Sequence, residues 1–254
     1  MKAVLLCIFS ATQAFAVVAG AADAPRQDTP MLVSQCEGRG GNEAFGAIVQ
    51  ACTAVIESKA YQGKQLGTVY LNRANAFDSM GDGHNALIDY DKAVELAPDI
   101  AGTYYNRGVY YQKSQRDFTA ALKDYDCALR IDPTYVPALF SRATIYDAQG
   151  NDSGALADYS QAIRLSPNTA VLLGHRGYDY LRQGDYHRAL EDENEAIRLN
   201  PKYAQAYLYR AVAHGKLGDS AKATQDTQTA IRLNPSLARN VRINEGKVTD
   251  APQP

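Results

Sequence analysis

The stretch Leu172–Pro201, LLGHRGYDYLRQGDYHRALEDENEAIRLNP, decides how the chain must be read. Its apolar residues fall at helical spacing in two runs separated by Gly184-Asp185. Glycine there suits a helix that ends in a left-handed residue, and aspartate suits the N-cap of the next helix. Pro201 then stops the second run. The same text recurs before Pro98, Pro133, Pro167 and Pro235, at steps of 35, 34, 34 and 34 residues. A fixed period in the mid-thirties points to stacked helical hairpins, in which each unit buries its apolar face against the next.

Working outward, first helices are expected at about 67–80, 101–115, 136–149, 170–183 and 204–217. Second helices are expected at about 83–97, 118–131, 152–165, 186–199 and 220–233. The turns Gly81-Asp82, Gly150-Asn151-Asp152 and Gly218-Asp219 repeat the chemistry of Gly184-Asp185. One turn, Gln115-Arg116-Asp117, lacks glycine and carries an extra residue, which accounts for the 35-residue step.

Small residues recur in the first helices at Ala74, Gly108, Ala143, Gly177 and Ala211, with Phe77, Tyr111, Tyr146, Tyr180 and His214 three positions on. The second helices repeat paired alanines seven apart: Ala86 and Ala93, Ala121 and Ala128, Ala155 and Ala162, Ala189 and Ala196, Ala223 and Ala230. Small residues set against large ones are how antiparallel helices close-pack. Between those alanines stand Tyr90, Tyr125 and Tyr159, then Glu193 and Thr227. The last two copies therefore read as a loosened, half-exposed interface.

Over 67–235 this pattern resembles the tetratricopeptide repeat (TPR) family. The resemblance implies an all-α fold, a right-handed superhelix of antiparallel helix pairs with five regular repeats. Its first helices would line a concave groove that binds peptides or partner proteins. On that geometry the groove includes Asn72, Asn75, Tyr105, Asn106, Phe140, His175, Tyr178, Arg182, Tyr209 and Lys216. Amides at one end, aromatics in the middle and a basic rim suit an extended peptide. Asn75 and Asn106 match the asparagines of co-chaperone TPRs that hold a carboxylate. The accompanying basic positions hold Leu71, Pro137 and Ser141, which argues against that mode.

A polar column accompanies the packing code. Arg73, Arg107, Arg142, Arg176 and Arg210 hold one place in the first helices. Asp89, Asp124, Asp158, Asp192 and Asp226 hold one place in the second. Structural Arg–carboxylate pairs are the expected reading. A ladder gripping an anionic polymer, as in a carbohydrate- or anion-binding module, is the alternative.

The N-terminus has the layout of a secretory signal: Lys2, an apolar run from Ala3 to Val18, then Ala19-Gly20-Ala21-Ala22. Residues 1–21 are read as that signal and 22–35 as a flexible lead. Residues 36–66 form a degenerate first repeat, with Asn42 capping a helix to about Ser58. This layout implies a periplasmic or secreted protein of bacterial type, and with it an oxidising compartment. Cys36 and Cys52 are read as a disulfide worth about 3 kcal/mol, although spacing alone does not fix connectivity. Cys127 is then the odd thiol, partly exposed. Residues 236–245 are expected to cap the array as a helix, and 246–254 to be a disordered tail.

The charge of -2 with intermixed signs gives no field for nucleic acid. No segment beyond the N-terminal run is apolar enough to span a membrane. His84, His175, His187 and His214 are scattered without metal-ligand spacing. No nucleophile or phosphate-loop motif appears. The expectation is a non-enzymatic scaffold without metal or cofactor, with self-association as the competing role.

Overall fold

The structure is a computed structural model that describes residues 29–38, 45–239, 243–244 and 247–248. The signal segment, the Asn42 cap and most of the tail lie outside the described residues. Among the described residues twelve α-helices run α1 Thr29–Cys36, α2 Phe45–Glu57, α3 Gly63–Ser79, α4 Gly83–Leu96, α5 Ala101–Tyr110, α6 Phe118–Ile131, α7 Val136–Ala148, α8 Asp152–Leu165, α9 Ala170–Arg182, α10 Tyr186–Leu199, α11 Ala204–Lys216 and α12 Ser220–Leu233. The five array repeats are the pairs α3–α4 through α11–α12. The helices fall into two units divided after Tyr135.

The caps explain why the helices stop and start where they do. Gly81, Gly150, Gly184 and Gly218 all have positive φ. The following residue donates its amide back across the turn: Asp82 to Phe77 O, Asn151 to Tyr146 O, Asp185 to Tyr180 O and Asp219 to His214 O, at 2.8–2.9 Å. Its side chain then caps the next helix, accepting from the amides of Asn85, Gly154, Arg188 and Lys222. These are C-terminal left-handed turns fused to N-caps.

The glycine-free turn has its own solution. The end of the first helix widens into a π turn over Tyr111–Gln115, which absorbs the extra residue. Arg116 takes the left-handed conformation at φ 53° that glycine takes elsewhere. Asp117 still donates to Tyr111 O and still caps α6 through Ala120.

In the first unit the N-terminal core gathers Cys36, Ala51, Cys52, Val55 and Val69. Cys36 and Cys52 form a disulfide. Of the lead expected to be flexible, the described residues from Thr29 onward belong instead to helix α1, followed by a turn at Glu37 and Gly38. Pro30 falls in the first turn of α1, where its missing N–H costs nothing. The first repeat is thus a short helix pair. A second cluster joins Ala74, Ala86, Tyr90 and Tyr110. Cys127 is disulfide-bonded and 6% exposed, not the partly exposed free thiol the sequence suggested.

In the second unit one cluster joins Ala170, Leu173, Ala196 and Ala206, and another joins Tyr178, Ala189, Leu208, Tyr209, Ala211 and Leu237. After α12 the expected capping helix over 236–245 is replaced. A 3-10 turn, Pro235–Arg239, buries Leu237, and Ile243-Asn244 (β1) pairs antiparallel with Lys247-Val248 (β2). No described helix is long and apolar enough to cross a membrane.

Candidate functional site

The polar column forms first. Each arginine donates twice to its own aspartate. Nε and Nη2 lie 2.7–2.9 Å from the two carboxylate oxygens in Arg73–Asp89, Arg107–Asp124, Arg142–Asp158, Arg176–Asp192 and Arg210–Asp226. Nη1 reaches the second helix of the preceding repeat: Arg73 to Thr53, Arg107 to Asp91, Arg176 to Ser160 and Arg210 to Asn194. The guanidinium planes also sit 5.4–5.9 Å from the ring centroids of Tyr70, Tyr104, Tyr146, Tyr180 and Tyr207. An arginine with all its edges engaged is a packing element. The geometry favours the structural pair over a grip on an anionic ligand.

In the first unit, Asn72 and Asn75 lie on α3, and Tyr105 and Asn106 on α5. Asn75 accepts from Tyr90 OH at 2.7 Å, and Asn106 donates to Gly102 O at 2.7 Å. Tyr105 packs against the rings of Tyr125 and Tyr135. Asn72 opens into a cavity of about 220 Å³ beside the disulfide, lined by Val33, Cys36, Tyr61, Gln65 and Val69.

In the second unit, α7, α9 and α11 supply the rest. Phe140 and His175 meet edge to face at 5.1 Å, and both touch the ring of Tyr159. Tyr159 OH donates to Asp147 at 2.8 Å and lies 3.3 Å from His175 Nδ1. Burial lowers the His175 pKa, so its ring is held neutral. Tyr178 and Tyr209 stack at 5.0 Å and are 8% and 1% exposed, so they pack the interior rather than line an open surface. Arg182 bridges Asp152 at 2.8 Å and approaches Asp147 at 3.7 Å. Lys216 is exposed at the end of α11.

Two buried acids complete this region. Glu193 is 0% exposed, and both carboxyl oxygens lack a hydrogen-bond partner. Burial first, then the neighbouring Asp192 charge, raises its pKa well above the ordinary value. This overturns the half-exposed interface read from the sequence. Thr227, its counterpart in the last repeat, is equally buried but donates to Ala223 O at 2.8 Å. The second acid is Asp179, also 0% exposed. Sequence reasoning missed it. The signal was available: the same column holds Ala76, Tyr110, Ile145 and Ala213, all buried, so an aspartate there breaks the repeat's own rule.

Among the described residues no group of His, Cys, Asp and Glu has the geometry to hold a metal ion. The site offers neutral aromatic faces and carboxylates beside one guanidinium, which is chemistry for holding a side chain.

The comparisons agree with this architecture. The tetratricopeptide repeat pattern matches residues 67–100, 111–170 and 176–238. The chain belongs to the tetratricopeptide repeat family. No curated protein matches its sequence. Among solved structures, a tetratricopeptide repeat protein from Parabacteroides merdae is similar at 19% identity and a TM-score of 0.65, covering 81% of this chain and 80% of that one. MamA is similar at 20% identity and a TM-score of 0.60, covering 68% and 94%. YrrB, described as a TPR protein with an unusual peptide-binding site, is similar at 24% identity and a TM-score of 0.60, covering 77% and 94%.

Proposed function

We infer that the protein is a non-enzymatic scaffold that binds a peptide or protein segment on the surface lined by its first helices. One observation carries the reading. Phe140 and His175 are partly exposed, and they adjoin Asp147 and Arg182 on the first helices of the second unit. Aromatic anchors beside hydrogen-bonding and charged groups are what a docked peptide needs. The concave groove of the family is the natural form of that surface, and YrrB provides a peptide-binding precedent for the fold.

The N-terminal apolar run and the Cys36–Cys52 disulfide support placing this scaffold in the cell envelope. A photo-crosslinking residue at Ser141, beside Phe140, tests the binding surface. A second one at Glu191, exposed on α10, is the control. The same partner captured repeatedly from position 141 but not from 191 supports the reading. Equal capture from both positions overturns it. The mass of the N-terminus in exported protein tests the location.

A further inference from the structure

We propose that Asp147 and Asp179 form a proton-dependent clasp between α7 and α9, closed while the two carboxyls share one proton and opened when that proton is lost.

The geometry comes first. Asp179 occupies a core column that carries no carboxyl in the other four array repeats, and it is fully buried. Neither of its oxygens has a hydrogen-bond partner among protein donors when the group is ionised, and one oxygen of Asp147 is in the same state. An ionised carboxylate so placed would lack both water and donors, a desolvation cost with nothing to offset it. Protonating one acid removes that cost and supplies the missing donor. Asp179 can then give its hydrogen to Asp147, whose carboxyl, like that of Asp179, lies within 4 Å of Arg182 Nη1. Burial and the neighbouring Asp147 together push Asp179 up to about 9.

The surroundings hold Asp147 as the charged partner. Tyr159 of α8 donates to it, and Arg182 of α9 lies 3.7 Å away. The charged groups acting on Asp179 are Asp147 from α7, Asp152 from the start of α8 and Arg182 from its own helix. Arg182 approaches Asp179 at only 3.9 Å and is committed to Asp152 at 2.8 Å. His175 and Tyr178 are the titratable neighbours on α9. From α10, Glu193 lies against Gly177, and from α11, Tyr209 stacks on Tyr178. One guanidinium therefore faces three carboxyls, so a second ionisation in the pair goes uncompensated. Loss of the shared proton sets two buried like charges against each other, and separating α7 from α9 is the way to hydrate them.

The step is a plain proton transfer from the Asp179 carboxyl to water or hydroxide, with no bond to carbon changed. That the clasp sets access to the binding surface rests on the function proposed above. The clasp itself can be tested without a partner.

Amide hydrogen exchange on the full chain between pH 6 and pH 10, corrected for base catalysis, reads it directly. In the wild type, protection at the end of α7 and along α9 should hold to about pH 9 and then fall by up to about tenfold per pH unit, with α12 as the internal reference. Asp179→Asn keeps a neutral donor toward Asp147, so its protection should show no such step. Asp147→Asn should also abolish the step. A wild-type profile without a local step overturns the proposal, as does a step that survives in both variants. If neither variant folds at pH 7, the pair is a fixed structural contact and the proposal fails.

Discussion

The pairs α5–α6 and α9–α10 share a skeleton and differ in what they hide. In α5–α6 the interior position of the second helix is Tyr125. Its ring lies so close to Gly108 that an added Cβ would sit 2.7 Å from Cε1, and its hydroxyl donates to Gln112 at 2.6 Å. The polar end of a large, fully buried side chain is thus satisfied by the helix it packs against. In α9–α10 the same position is Glu193, set against Gly177 with no donor in reach. Asp179 adds a second buried acid one turn from the helix end. The rungs Arg107–Asp124 and Arg176–Asp192 are alike in both pairs. The skeleton is therefore held by the rungs, caps and alanines, which leaves the interior free to vary toward groups that cost stability.

That view can be broken at several points. Arg176→Ala has the largest expected effect. It leaves Asp192 buried without its partner and should cost about 3–5 kcal/mol in urea unfolding. A cost below about 1 kcal/mol would show that the rungs do not hold the skeleton. Gly108→Ala drives a methyl against the Tyr125 ring and should cost about 1–3 kcal/mol by the same measurement.

Glu193→Met should do the reverse, because it removes a buried acid with no partner while keeping volume. A gain of about 1–3 kcal/mol at pH 8 is expected in thermal unfolding. The sign with pH follows from the raised pKa of Glu193 in the fold. The native state holds this proton more tightly than the unfolded chain does. Its favourable contribution is therefore complete below the unfolded value of about 4.5 and fades as pH rises toward the folded one. The advantage of Glu193→Met should shrink as pH falls toward 4. A constant advantage across that range would show that Glu193 does not titrate differently in the fold. Tyr90→Phe, which loses only the hydroxyl bond to Asn75, should cost about 0.5–1.5 kcal/mol.

Much of this was legible because a fixed period aligns each residue with its counterparts. Helix pairs, caps and the Arg and Asp columns each appear five times, and their spacing alone places them together. What escaped depends on a single copy or on tertiary support. Helix α1 contains Pro30 and begins in a polar stretch, so nothing local announces it. It packs against Ala51, Cys52, Val55 and Val69 through Cys36 and is tied there by the disulfide. The π turn replaces glycine with Arg116 in a conformation that no local preference signals. Tyr178 and Tyr209 were assigned to a groove by family geometry, yet they fill interior space beside Glu193, where the first three array copies place a second-helix tyrosine. Asp179 was readable as a misfit in its column, but only once that column is known to be buried in every other copy.

The third donor of four of the column arginines gives the chain a direction. Nη1 of Arg73, Arg107, Arg176 and Arg210 always reaches backward, to the repeat that precedes it in sequence. Each of these repeats therefore leans on its predecessor, and none of these bonds makes a predecessor lean on its successor. Trimming from the C-terminal side removes the leaning partner and takes its arginine with it. Trimming from the N-terminal side leaves an arginine behind with one donor unanswered. The two ends of the array are therefore not equivalent in this contact: one loses a donor, the other an acceptor.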